Sequence, residues 1–347
     1  MEEADNDVQS VLIINSANSI LFLLGCGGTM NILVTGAAGF IGSHLCEKLL
    51  QERENICIGI DGFVDPSLLQ VKQRNIAQLL HHPRFQFVND NLLTLDWGKW
   101  LEDVDVIYHL AGMPGVRTSW GKDFELYTLH NIMVTQRLLE ACKRRSLKKF
   151  IYVSTSSVYG EKAGKVSESS PPAPLSPYGV TKLTGEYLCK VYAATDDLPV
   201  TILRYFTVYG PRQRGDMAFH RFIHCILTNK PIPVYGDGLQ TRDFTYISDC
   251  VTGTAAVLHA DNVRGETINI GGKERKSILE VIGILEEIIG KKANILFLEK
   301  NRGEPRHTWA EISKAEKLLQ YRPTVPLEDG LRNEFNDLSS LYLGGER

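Results

Sequence analysis

None of the seven cysteines, at positions 26, 46, 57, 142, 189, 225 and 250, stands in a CxxC pair. A scattered, odd set excludes a disulfide framework and offers no zinc-ligand spacing, so reduced thiols, a cytoplasmic setting and no metal are expected. Excess positive charge is also missing. The formal net charge of −3 gives no basic face for nucleic acid, and no run of like charge is long enough for an interaction tail. Internal repeats and low-complexity segments are absent. With 43% hydrophobic and 23% charged residues, the 347-residue chain is composed like a folded globular protein. That length suits one large α/β unit, or a large domain with a smaller companion.

A clean membrane run is missing too. Residues 11–28 read VLIINSANSILFLLGCGG, and Asn15, Ser16, Asn18 and Ser19 interrupt the about 20 apolar residues that a span requires. A secretory signal would begin with positive residues, whereas MEEADND is acidic. Residues 1–29 are accordingly read as an N-terminal extension (disordered, mis-started or a weak anchor), with Met30 opening the folded chain and no membrane association expected.

What is present from Asn31 onward is alternation. Short apolar runs at 32–35, 56–60, 85–88, 105–110, 148–154 and 199–206 predict strands. Between them lie helical patterns, among them Ile41, Leu45, Leu49 and Leu50, and a long helix over 123–144 with Leu126, Met133, Leu138 and Leu139 on its apolar side. Strands alternating with crossover helices predict an α/β fold: a parallel sheet covered on both faces. Past Phe206, proline and glycine become frequent and the alternation stops. The expected organisation is a main α/β domain over 30–206 and a smaller substrate-capping portion over 207–347, with 244–260 returning to the main core.

The turn after the first strand is GAAGFIG, with Gly36, Gly39 and Gly42. Such glycines permit a tight turn, close approach of backbone to a pyrophosphate, and close helix–strand packing, while the helix N-terminus favours anions. The second strand ends in Asp61, nineteen residues after Gly42, where a carboxylate would accept from the adenosine ribose hydroxyls and repel a 2′-phosphate. NAD is therefore favoured over NADP.

In PYGVTK, Tyr178 and Lys182 stand four residues apart and share a helix face, with Ser176 and Pro177 as cap and first-turn residue. A free phenol is a poor base at neutral pH. A lysine ammonium, an oxidised nicotinamide and a helix N-terminus would each stabilise the phenolate and bring it toward neutrality. Upstream, STSSVYG at 154–160 follows a predicted strand and supplies hydroxyls to meet a substrate hydroxyl.

Together GAAGFIG, HLAG at 109–112, STSSVYG, PYGVTK and RYFTVYGPRQR resemble the extended short-chain dehydrogenase/reductase family of nucleotide-sugar epimerases and dehydratases. The resemblance runs from about Asn31 to beyond Trp309. It implies a doubly wound Rossmann domain over 30–206 with bound NAD, a smaller C-terminal substrate-binding lobe over 207–347, a UDP-sugar substrate and a homodimer formed through paired helices. Thr155, Tyr178 and Lys182 take the family's catalytic positions, and Asn131 matches a structural asparagine. Tyr205 and Phe206 fall on the nicotinamide side, and Arg242 matches an arginine that meets the diphosphate. Phe40, Ile41, Asn91, Leu92, Leu110, Ala111 and Gly112 fall along the dinucleotide.

The family's reactions share oxidation at C4 of the sugar, and neighbouring side chains decide the fate of the 4-keto sugar. Similar 4,6-dehydratases carry an Asp–Glu pair before VYG, and UDP-glucuronate decarboxylases tend to carry a glutamate there. This chain has Ser156 and Ser157. Epimerisation needs no further acid or base, so an epimerase is expected. RYFTVYGPRQRGDMAFHRF is similar to the corresponding stretch of UDP-glucuronate 4-epimerases, with Thr207 where UDP-galactose epimerases have asparagine. Ser156, Ser157 and Thr207 are read as carboxylate-binding hydroxyls, and Arg117 and Arg214 as further substrate contacts. Gly215 departs from the proline of many relatives and leaves that loop's geometry open. The alternative is a 4-epimerase of another UDP-hexose, UDP-glucose/galactose or a UDP-N-acetylhexosamine, or else a UDP-glucuronate decarboxylase.

Overall fold

The structure is a computed structural model and describes residues 29–343. Apart from Thr29, the extension expected over 1–29 lies outside the described residues. The chain runs from β1 (Met30–Thr35) through α1 (Phe40–Leu50) to β2 (Asn55–Asp61), then through α2 (Leu69–Ile76) to β3 (Phe85–Asn89). The one-turn α3 (Trp97–Trp100) precedes β4 (Val106–His109). Next come α4 (Phe124–Tyr127), a π turn (Thr128–Met133) and α5 (Val134–Cys142), leading to β5 (Lys149–Thr155). Helix α6 (Pro177–Thr195) crosses to β6 (Val200–Tyr205).

Beyond it lie β7 (Thr207–Tyr209), α7 (Ala218–Leu227), β8 (Ile232–Tyr235), β9 (Thr241–Tyr246) and α8 (Ile247–Ala256). The last elements are β10 (Thr267–Ile270), β11 (Glu274–Ser277), α9 (Ile278–Ile289), β12 (Ile295–Leu298), α10 (Ser313–Leu319) and α11 (Leu327–Leu343).

Seven parallel strands form the main sheet in the order β10-β6-β5-β4-β1-β2-β3. Ile32, Leu33 and Val34 on β1 have no exposed surface, because helices cover both faces of the sheet. One face packs beneath α1 and α8, where Ile32, Leu45, Cys250 and Val251 meet. The other packs beneath α5 and α6, where Leu33, Leu138, Tyr152 and Cys189 meet. A third cluster, around Phe219, Phe244, Leu285 and Leu331, holds the C-terminal lobe together. There β9 joins β7 in parallel and β11 in antiparallel pairing, and β12 pairs with β8.

Two features differ from the sequence expectation. A seventh strand, β10, was not expected, since TINI is too short a run to announce itself. The helix expected over 123–144 is broken by the π turn. The change of phase leaves Leu126 42% exposed while Asn131 turns inward and is buried.

Helix α6 starts where its sequence says it should. Ser176 caps it by accepting from Gly179 N at 3.1 Å, and Pro177 takes the first position. The helix lies close against β5 at Gly185, where an added Cβ would stand 2.0 Å from Tyr152 Oη. Gly185→Ala is expected to force α6 off the sheet and cost about 1–3 kcal/mol. Chemical denaturation checks this; an unchanged midpoint would show that the contact has slack.

Candidate active site

The first strand ends in a turn that only glycine can make. Gly36 has φ +74°, and a Cβ there would lie 2.9 Å from Ala111 N. At Gly42 an added Cβ would stand 2.1 Å from Gly36 O. Gly39 precedes α1 without any side-chain cap, and the first turn, which holds half-buried Ile41 and buried Phe40, carries no acidic residue. The helix therefore presents its positive end to an anion. Asp61 closes β2 beside this turn. Its Oδ2 accepts from Ala38 N at 3.0 Å, and its Oδ1 pairs with Lys72 Nζ at 2.7 Å. Burial pushes the Asp61 carboxyl up, and Lys72 opposes that rise.

On the other side of β1, Ala111 N donates to Thr35 Oγ1 at 3.2 Å and Leu110 N to Thr35 O at 3.3 Å. Asn131 pins the adjoining segment. Its Oδ1 accepts from Met113 N at 2.6 Å, and its Nδ2 donates to Met113 O and Thr181 Oγ1, each at 3.0 Å. Gly112 leaves room for that amide, since a Cβ would stand 2.7 Å from Asn131 Oδ1. Asn91 turns the chain after β3 by accepting from Leu93 N at 3.0 Å, and Leu92 is a core residue. Tyr205 bonds Thr254 Oγ1 at 2.6 Å inside the core beneath α8, while Phe206 packs on Tyr159.

Thr155 ends β5 and caps the short turn Ser156–Val158, accepting from Ser157 N at 3.2 Å and donating to Ser157 Oγ at 3.3 Å. Tyr178 lies half-buried nearby. Burial pushes its phenol up, while a hydrogen bond with Thr155 and the charge of Arg214 pull it down. The phenol expected near neutrality is thus not produced by these side chains alone, because burial outweighs them. Lys182 falls to about 8, also through burial, and its ammonium lies 4.3 Å over the Tyr152 ring. His109, beside it, drops to about 3 and bridges Thr35 and Thr135 as a neutral ring.

Two arginines from distant parts of the chain meet on one carboxylate. Arg117 Nε lies 2.5 Å from Glu304 Oε1, and Arg242 Nη2 lies 3.4 Å from Glu304 Oε2. Arg117 also stacks over Tyr235 at 4.4 Å, and burial lowers Arg242. A small cavity opens here between Tyr235, Gln240, Lys300 and Arg306. Arg214 stands apart from this pair and forks onto Asp216 at 2.6 and 2.9 Å. Thr155 pairs in register with Tyr205, so Ser156, Ser157 and Thr207 leave the sheet from adjacent strand ends. All three are half-buried. Sequence reasoning missed Lys72, Tyr235, Glu304 and Arg306, which no motif or spacing ties to the turn or to the arginines.

A parallel sheet with a glycine turn after β1, and a Thr–Tyr–Lys set where β5 and α6 meet, define a dinucleotide-dependent dehydrogenase-type enzyme. The model of the NAD dependent epimerase/dehydratase family matches residues 32–271. The chain belongs to that family, and its cofactor is NAD. It is 58% identical over 315 residues to the uncharacterized UDP-glucose epimerase YtcB of Bacillus subtilis (strain 168), covering 91% of this chain and 100% of that protein. It is 39% identical to a UDP-glucuronate 4-epimerase of Thermodesulfobacterium geofontis (strain OPF15), covering 88% and 94%. Among solved structures, a UDP-glucuronic acid 4-epimerase from Bacillus cereus, in complex with UDP-glucuronic acid and NAD, is similar at 60% identity. Its TM-score is 0.89, over 90% of this chain and all of that one.

Asp61→Ala removes the carboxylate and leaves Lys72 unpaired beside the turn. The preference for NAD over NADP is expected to narrow at least about tenfold, as loss of one charge-assisted contact would give. Dinucleotide titration of the stripped protein checks this, and an unchanged preference would assign the discrimination elsewhere.

Proposed function

We propose that the protein is a UDP-glucuronate 4-epimerase, interconverting UDP-glucuronate and UDP-galacturonate through a transient 4-keto sugar. The observation that carries this reading is the hydroxyl pair Ser156–Ser157 beside Thr155, where a dehydratase needs a carboxylic acid and its base. The similarity to the Bacillus cereus enzyme that holds UDP-glucuronic acid and NAD supports it further.

The glycine turn, Asp61 and the segment 110–112 would hold NAD, which supplies the acceptor and donor of the C4 hydride. Tyr178 takes the proton of the C4 hydroxyl, with the Thr155 hydroxyl beside it, and returns it when the ketone is reduced from its other face. Arg214 and Lys182 stabilise the negative charge that the phenolate carries before it takes that proton. A 4-keto glucuronate is a β-keto acid and loses carbon dioxide readily. Ser156, Ser157 and Thr207 bind the carboxylate and hold its C–C bond out of the orientation that favours cleavage. Arg117 and Arg242 take the diphosphate in place of Glu304.

The reading extends to assembly and setting. Val180, Tyr187 and Val191 of α6 are exposed, as are Phe124 and Leu126 of α4. This apolar strip fits a homodimer through paired helices. Among the described residues no helix is long and apolar enough to cross a membrane, and a cytoplasmic enzyme is the setting we propose.

Purified protein incubated with UDP-glucuronate is expected to yield UDP-galacturonate with little UDP-pentose on chromatography. Inertness toward UDP-glucuronate, with conversion of UDP-glucose or UDP-N-acetylglucosamine, would overturn the substrate. In the same assay Thr207→Ala should raise the pentose fraction about tenfold, the worth of one hydrogen bond to a charged group; no extra pentose would count against carboxylate protection. Tyr187→Glu combined with Val191→Glu should convert a dimer into a monomer by light scattering. Unchanged mass would place the interface elsewhere.

A further inference from the structure

Tyr178, Lys182 and Glu186 stand at four-residue spacing along one face of α6. Only the first two enter the epimerase chemistry. Glu186 is fully buried, and its carboxylate is committed to both strands beneath the helix. Its Oε1 accepts from Ser154 Oγ at 2.5 Å and from Arg204 Nε at 2.9 Å, and its Oε2 accepts from Arg204 Nη2 at 2.6 Å. Ser154 immediately precedes Thr155 on β5, and Arg204 stands on β6 just ahead of Tyr205, Phe206 and Thr207. The guanidinium lies 4.6 Å over the Tyr159 ring, whose hydroxyl bonds Asn269 of β10 at 2.6 Å. Among the described residues Arg204 Nη1 has no partner. Apolar residues would fill such a site at lower desolvation cost, so an ion pair this deep points to a task beyond packing.

We propose that Glu186, clamped by Arg204 and Ser154, is a positioning residue that sets the Tyr178–Lys182 face of α6 against the strand ends carrying Thr155 and Thr207. The assignment rests on the epimerase reading of that site. Glu186 also acts on Lys182 through its charge. Burial depresses the lysine, and the Glu186 carboxylate opposes that fall. The groups facing Lys182 are neutral His109 of β4, Tyr152 of β5, and Tyr178, Glu186 and Cys189 of α6. Burial pushes the two tyrosines and Cys189 up, so all three stay uncharged at neutral pH. Glu186 is thus the negative charge in that set.

The test is the double variant Glu186→Gln/Arg204→Met, which removes both charges and avoids stranding a buried guanidinium. For UDP-glucuronate turnover, kcat should fall at least about tenfold with KM changed less than about twofold. The alkaline limb of the pH profile should move to lower pH, because Lys182 loses its proton sooner. Melting temperature and bound NAD should stay as in the wild type. A second readout needs no substrate: ultraviolet titration of the Tyr178 phenolate in the NAD-loaded protein, with Tyr178→Phe as blank. The phenolate should form at higher pH in the double variant. Wild-type kcat and an unmoved limb would overturn the proposal, as would a double variant that cannot fold. Should the wild type prove inert toward UDP-glucuronate, the epimerase reading fails, and an unmoved phenolate titration would then sink the Glu186 assignment separately.

Discussion

The approach of α6 to β5 is the constraint on which the site depends. Gly185 lets the helix settle onto Tyr152, whose hydroxyl donates back to Lys182 O at 3.3 Å. The Tyr152 ring then becomes the platform under the Lys182 ammonium. At the helix start, the Ser176 cap and Pro177 fix where the first turn begins, and hence where Tyr178 points. Sequence sets each of these locally. Together they place a phenol, an ammonium and the Thr155 hydroxyl at the carboxyl end of a buried sheet.

The two halves of the site are built on different physics. Around the dinucleotide turn, contacts are between backbones and leave no room for a side chain, as at Gly36 and Gly42. At the arginine pair the contacts are ionic and adaptable. Arg117 and Arg242 converge on Glu304, a carboxylate of the chain itself. In the function we propose, a diphosphate takes over the same two guanidinium groups, and this part of the site exchanges one anion for another instead of opening an empty charged cleft.

Much of this was legible in the residues. Strands covered on both faces must be apolar throughout, so β1 to β6 stood out as short runs. The Ser-Pro start of α6 and the glycine turn carry their geometry in their composition. Other features left no local mark. β10 is four residues long, and the π turn that buries Asn131 also leaves Leu126 exposed, a change of phase that a regular helical period conceals. Lys72, Glu304 and the Glu186–Arg204 pair depend on which elements meet in space. Tyr205, assigned to the nicotinamide side by resemblance, has its hydroxyl committed to Thr254 in the core. The sequence also suggested a phenol near neutrality, whereas in the protein alone desolvation pushes the Tyr178 phenol upward. Burial is a tertiary property, and periodicity does not report it.

In the reaction we propose, Tyr178 and resident NAD oxidise C4, and the hydride returns to the same carbon from the opposite face. UDP-glucuronate deuterated at C4 tests it most directly, with the UDP-galacturonate product read by NMR or mass spectrometry. Full retention of deuterium at C4 is the predicted result. Exchange of that deuterium with solvent hydrogen would contradict the account, because it would require a carbanion or a water-mediated route in place of a hydride held within the site.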